Sequence, residues 1–332
     1  MSNSNISVGI LGLGAFVPEK ILDNSMLEKM VDTSDEWIVK RTGIKERRIL
    51  EDNVLSHTMG SNAAKLAIEN AGCKAEDIEL IIVSTSTPDY ITPNMGSLIQ
   101  ADIGAVNAAA FDISAACSGF IYGLNIAKQF IQNGAYKKIL VISCESLSRY
   151  VDWQDRATCI LFGDGAGAAV VGEVEAGYGI LADEIGTDGK MADAITIPSV
   201  YFTEKDLEVR LNENKRVLWM DGSSVMKFAV RIMTQSTLSV IEKAGLTIND
   251  VSLVIPHQAN IRIIEGAAKR LELRDDQLVI TVDKYGNTSS SSVILALDDA
   301  IKSGRVQKGD NIVLVGFGGG LTWGATLIKW SI

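Results

Sequence analysis

Residues 68–82, IENAGCKAEDIELII, and residues 241–255, IEKAGLTINDVSLVI, stand 173 apart and are identical at seven of 15 positions. Each copy reads as the end of a helix stopped by glycine (Gly72, Gly245), then an acidic turn, then a buried apolar strand. A second pair follows in the same order. FIQNG, ending at Gly134, and AIKSG, ending at Gly304, each close a helix, and the strands ILVIS (139–143) and IVLVG (312–316) come next, again 173 apart. Two matches in register, offset by about half of the 332 residues, argue for a duplicated unit packed as one body. The stretch EVEAGYGILADEIGTDGK (173–190), rich in glycine and acid, marks the boundary and gives halves at 1–180 and 181–332. Within each half short apolar strands alternate with helical patterns, at 57–71, 118–132, 223–244, 260–271 and 289–303, so the fold class is α/β on mostly parallel sheets. With five prolines and no low-complexity linker, the halves are expected to share a tight interface.

Composition narrows the function. Apolar residues make up 47% and charged residues 22%, the mix of a globular protein. A net charge of −10 argues against a general nucleic-acid binder, since nothing would neutralise phosphates over a broad face. The four cysteines (Cys73, Cys117, Cys144, Cys159) have no zinc-like spacing, and no metal is expected. MSNSNISVGILGLG lacks the basic start of a signal peptide. Residues 311–328 are uncharged over 18 positions, but five glycines there suit strand, turn and strand better than a membrane helix. A cytoplasmic enzyme with reduced thiols and no membrane association is the expectation.

Four places could carry chemistry. In FDISAACSGFIYGLNIAKQFIQNG, a strand ends at Ile113 and helical periodicity starts near Phe120, which puts Cys117 at a strand-to-helix elbow. The helix N-terminus there would favour thiolate and lower the pKa, making a nucleophile; the alternative is an inert buried cysteine, the reading preferred for Cys73, Cys144 and Cys159. His257, in VIPHQANIRI, follows a second-half strand, where α/β proteins place ligands. The other histidine, His57, reads as a capping or surface residue at the start of an exposed helix. Asn287, in YGNTSSSS, lies 170 residues after Cys117, the same interval as between Gly134 and Gly304. It is either a plain turn residue or the counterpart of Cys117 across a pseudo-twofold axis. The run GFGGGLTWG offers free backbone N–H groups to an oxyanion, and no phosphate-loop lysine follows it. GILGLGAFVP imitates a dinucleotide fingerprint but ends in Val17 where glycine or alanine is required, so NAD is rejected.

Together VDTSDEWIVKRTGIKERR (31–48), DISAACSGF (112–120), FGDGAGA (162–168), PHQANIRI (256–263), YGNTSSSS (285–292) and FGGGLTWG (317–324) resemble the thiolase-fold condensing enzymes, specifically the β-ketoacyl-acyl-carrier-protein synthase III family. The resemblance runs along the whole chain. It implies a thiolase-like fold, two duplicated α/β halves in a layered αβαβα arrangement, the first carrying the nucleophile and the second the histidine and asparagine. It implies a catalytic Cys117, His257 and Asn287, and an oxyanion hole from the backbone N–H groups of Cys117 and Gly319. The implied reaction is a decarboxylating Claisen condensation of an acyl-coenzyme A primer with malonyl-acyl-carrier protein, initiating fatty acid synthesis. Coenzyme A takes part as a thioester substrate, and no further cofactor is expected.

By the same resemblance Thr33, Trp37, Arg41, Arg156 and Asn260 contact coenzyme A, with Trp37 and Arg156 sandwiching adenine. Lys227, Arg262 and Lys269 form a basic rim for the acidic carrier protein, which an acidic body can still bind locally. A homodimer is expected. One departure is Thr92, before Pro93, where acetyl-preferring members carry a phenylalanine that a neighbouring subunit uses to close the acyl pocket; the smaller residue implies longer or branched primers. A hydroxymethylglutaryl-coenzyme A synthase is disfavoured, since VSTST (83–87) holds no glutamate and position 287 is asparagine. A related thiolase-fold acyltransferase or condensing enzyme of secondary metabolism stays open, while an intact Cys117 argues against a non-catalytic paralogue.

Overall fold

The computed structural model describes residues 6–199 and 217–332; the first five residues of the amino-terminal stretch lie outside these. Among the described residues, nine strands build the two main sheets. They are β1 (Val8–Phe16), β2 (Leu80–Ser84), β3 (Ala109–Ile113), β4 (Lys138–Ser146), β5 (Asp164–Glu173), β6 (Gly179–Thr187), β7 (Leu253–Pro256), β8 (Asn311–Gly318) and β9 (Thr322–Lys329). The first sheet runs β1–β5–β4–β2–β3 and the second β6–β9–β8–β7. The duplication is thus visible strand by strand: β1 matches β6, β5 matches β9, β4 matches β8 and β2 matches β7. Beyond β7, Leu278 bridges Val254 in parallel, where β3 stands beside β2 in the first sheet.

The sheets are mixed rather than mostly parallel. Among the described strands of these sheets, β2 pairs in parallel with β3 and β4, and β7 with β8; β5, β9, β1 and β6 run antiparallel to their neighbours. The reason is local. The glycine turn after Gly318 returns the chain at once, pairing Phe317 with Trp323 in a hairpin, so no crossover helix intervenes.

Seven principal helices fill three layers: α1 (Asp35–Thr42), α2 (His57–Asn70), α3 (Met95–Ile103), α4 (Gly119–Gln132), α5 (Gly222–Lys243), α6 (Ile261–Leu271) and α7 (Ser291–Lys302). Helices α4 and α7 lie between the sheets, where Phe120, Leu124, Val293 and Leu297 share a cluster with Leu80, Ile82, Leu253 and Ile255. The next side chains along β2, Ile81 and Val83, face outward against Met59 and Ala63 of α2 and Ile99 of α3. In the second half α5 and α6 cover Val254, Val313 and Val315 in the same way. Both faces of β2, β4, β7 and β8 are covered, which is why these strands read as apolar runs in the sequence. The layering is αβαβα. Helix α2 is far from exposed: its Gly12 neighbour on β1 has no room for a side chain, as a Cβ there would stand 2.2 Å from the Ala71 nitrogen. The GLG of the imitated dinucleotide fingerprint therefore serves helix-to-strand packing. Among the described residues no helix is long and apolar enough to cross a membrane.

Candidate active site

Strand β3 ends at Ile113, and a single tight turn over Ala116–Ser118 leads into α4. Ala116 adopts φ of 44°, a left-handed backbone that turns Cys117 out of line with both elements. Ser118 locks the elbow by donating to the Ala115 carbonyl (2.8 Å), with its oxygen 2.7 Å from the Thr322 hydroxyl. Gly318 lets the end of β8 approach, since a Cβ there would lie 2.4 Å from the Cys117 nitrogen. The Cys117 N–H and the glycines at 318–319 consequently face one another.

His257 extends β7, its N–H donating to Val315 at 2.8 Å, and its ring is buried edge-on against Phe317. The Ser292 hydroxyl lies 2.6 Å from His257 Nδ1 and accepts from the Gln258 N–H at 3.1 Å. If Nδ1 accepts the Ser292 proton, the ring's own hydrogen lies on Nε2. Burial pushes the His257 pKa down to about 3, so the ring is neutral. Asn287 sits at the matching elbow before α7, its N–H bonded to Leu161 at 2.8 Å. Its Oδ1 accepts from the Ser289 N–H at 2.9 Å, so Nδ2 is the end left to donate elsewhere.

Cys117, His257 and Asn287 line one cavity of ≈ 880 Å³, with Trp37, Arg41 and Arg156 at its exposed mouth. Gly319, Asn260, Lys227 and Arg262 line it too. The remaining candidates do not. Thr33 lies beside the mouth with its buried Oγ1 unpartnered, and Lys269 is exposed on α6 two turns beyond Arg262. Thr92 is exposed on a loop outside the chain's own cavity, next to Ile91 and Tyr90, which are also exposed. At the mouth the Arg156 and Arg41 guanidinium groups lie 5.2 and 5.4 Å from the Trp37 ring centroid, so the ring is already occupied by cations. Arg156 is tied to the Asp32 carbonyl at 2.8 Å.

Two expectations, one of charge and one of burial, are corrected. The Cys117 thiol is not lowered: burial, assisted by the charge of Glu145, pushes it up to about 12 and outweighs the Ser289 hydrogen bond that favours the anion. His57 is no surface group. Its Nδ1 lies 2.8 Å from Asp89, whose carboxylate also accepts from the Ser56 and His57 N–H groups and so caps α2 from another loop. Of the other thiols, Cys144 and Cys159 are buried while Cys73 is half-buried, and burial raises all three. Ser289, Ser292 and Glu145 went unnoticed in the sequence. Glu145 had a signal, a lone carboxylate inside the apolar run of β4.

Residues 111–189 match the family described as 3-oxoacyl-[acyl-carrier-protein] synthase III, and residues 241–330 match its C-terminal part. A beta-ketoacyl-[acyl-carrier-protein] synthase III of Caldanaerobacter subterraneus is 52% identical over 326 residues, 98% of each chain. The chain belongs to this family. The synthase III of Clostridioides difficile is 51% identical over 99% of this chain and 100% of its own. Among solved structures, 3-oxoacyl-[acyl-carrier-protein] synthase III from Aquifex aeolicus superposes with a TM-score of 0.90 at 45% identity, covering 97% of this chain and 100% of that one. The layered α/β fold and the family reached from sequence motifs are therefore the observed ones.

Proposed function

We propose that this β-ketoacyl-acyl-carrier-protein synthase III family member runs its condensation through Cys117, His257 and Asn287. The observation that carries this reading is their convergence on one cavity from equivalent elbows and strand ends of the two halves. The Cys117 sulfur attacks the thioester carbon of an acyl-coenzyme A, its bond to the coenzyme sulfur breaks, and an acyl-enzyme remains. The Cys117 and Gly319 N–H groups receive the carbonyl oxygen. Malonyl-acyl-carrier protein then loses carbon dioxide, and His257 Nε2–H and Asn287 Nδ2–H hold the enolate oxygen. The enolate carbon attacks the acyl carbon, the bond to Cys117 breaks, and 3-oxoacyl-carrier protein leaves. A neutral, donating imidazole suits this role, and the Ser292 contact supports that tautomer.

Coenzyme A enters between Trp37 and Arg156, with Arg41, Thr33 and Asn260 nearby. The carrier protein docks on Lys227, Arg262 and Lys269, with Lys269 outside the cavity on the same helix as Arg262. The enzyme acts in the cytoplasm as a homodimer; the exposed loop with Tyr90 and Ile91, and Val106 shortly before edge strand β3, support a partner surface there. Thr92 on that loop favours longer or branched primers. Mass spectrometry of the protein after incubation with a panel of acyl-coenzyme A thioesters tests the reading. Acylation at Cys117, discharged by malonyl-acyl-carrier protein, is expected; acylation elsewhere or none would sink it.

A further inference from the structure

A buried carboxylate stands behind the nucleophile. Glu145, near the end of β4, is wholly inaccessible to solvent, and the groups that hold it are neutral donors. Its Oε1 accepts from the Ser289 hydroxyl (3.1 Å) and the Ser290 hydroxyl (3.3 Å), and its Oε2 from the Thr87 hydroxyl (2.8 Å). The Ser86 N–H reaches both oxygens, at 3.2 and 3.1 Å. Ser289 lines the cavity, adopts φ of 53°, and its hydroxyl also acts on the Cys117 thiol, favouring the ionised form. Ser289 therefore shares the cavity wall with Cys117 on one side and holds the carboxylate by its hydroxyl on the other.

We infer that Glu145 takes up the Cys117 proton through the Ser289 hydroxyl, moving one negative charge from carboxylate to sulfur. This deepens the condensing reading and rests on it. The sulfur gives its proton to Ser289 Oγ while Ser289 passes its own to Glu145 Oε1, so the cavity keeps a single negative charge. The thiolate then attacks the thioester. The departing coenzyme thiolate takes a proton from the Ser289 hydroxyl, which recovers one from Glu145. Glu145 acts through Ser289 and touches no substrate, so it is a positioning residue that also stores the proton.

The alternative acceptor is weaker. His257 is pushed down to about 3 and its Nδ1 is held by Ser292, whereas burial raises Glu145 to about 7. A thiol pushed up to about 12 needs an acceptor near at hand. The other titratable groups that feel Glu145 are Cys144 in the same strand and Tyr150 beyond it; both are shifted upward and stay neutral near pH 7. Asp89, Asp164 and Arg149 supply the fixed charges around those groups.

Acyl-enzyme formation by rapid quench and mass spectrometry, with saturating acyl-coenzyme A from about pH 5 to about pH 9, separates proton storage from mere support. The wild type should show an inflection near pH 7 and a plateau above it. Glu145→Gln should lose the plateau, climb about tenfold per pH unit, and lie on the order of 10²-fold lower at neutral pH. Glu145→Asp should restore the inflection at a reduced rate. Ser289→Ala, which keeps the carboxylate but cuts the path, should behave as Glu145→Gln, and it decides the matter should Glu145→Gln fail to fold. An unchanged inflection in Ser289→Ala or Glu145→Gln, however slow the enzyme, overturns the inference, as does a wild type without one. A wild type that is never acylated overturns the condensing reading instead.

Discussion

Ser292→Ala is the most informative small change at the site. The hydroxyl makes two buried contacts, to His257 Nδ1 and from the Gln258 N–H. Alanine removes the Nδ1 partner and leaves a buried amide unsatisfied, each worth about 1 kcal/mol or somewhat more. If only the positioning hydrogen bond is lost, the rate of the step that uses Nε2–H falls ~5-fold. If the ring turns or its hydrogen moves to Nδ1, a whole oxyanion donor is lost, worth about 10²–10³. A decline of roughly 10- to 100-fold in carbon dioxide release from malonyl-acyl-carrier protein is therefore expected. Acylation of Cys117, which needs no Nε2–H, should stay within ~3-fold of wild type by the same scale. Stopped assays of released carbon dioxide, run beside mass spectrometry of the acyl-enzyme, report the two stages separately. Equal losses in both stages, or an undiminished decarboxylation, would refute the tautomer argument.

Three further outcomes are expected. Asn287→Ala and His257→Ala should each abolish decarboxylation while Cys117 is still acylated; loss of acylation in Asn287→Ala counts against this division of labour. Arg262→Glu should raise the KM for the carrier substrate roughly tenfold or more, as reversing a docking charge does, and spare acyl-coenzyme A; matched effects on both substrates would remove Arg262 from the docking rim. Thr92→Phe should narrow the accepted primers toward acetyl in competition between acetyl- and branched or C6–C10 acyl-coenzyme A, whereas an unaltered preference profile would show that Thr92 does not bound the pocket.

The sequence was most legible where it repeated itself. The glycine-stopped helices and the strands after them are seen at Gly72, Gly245, Gly134 and Gly304, all with positive φ, because the αL stop is a local requirement that leaves a mark in one residue. Strand direction was less legible: nothing in the apolar run of β5 records that it returns antiparallel to β4, since both faces are buried in either direction. The elbow positions of Cys117 and Asn287 could be read from periodicity, but their protonation could not. The N-terminal position of Cys117 suggested an easy thiolate, while its enclosure by Phe317, Gly318 and the two halves is a tertiary fact that reverses the sign. His57 was misjudged for a similar reason, as its partner Asp89 lies 32 residues away. Ser292 and Glu145 act through contacts across 35 and 144 residues, beyond any local pattern.

The middle layer has a consequence for heat. Cys117 and Asn287 each sit just ahead of a helix, α4 or α7, and both helices are clamped between the sheets by Phe120, Leu124, Val293, Ile294 and Leu297. Loop-borne centres soften well below the melting of their scaffolds. Here the two residues are anchored to those helices, so their mutual distance should survive until the core itself lets go. The mouth is built differently, from exposed Arg41 and Arg156 around a half-covered Trp37. Warming should therefore loosen the arginine-lined mouth around Trp37 first and spare the spacing of Cys117 and Asn287 to the last.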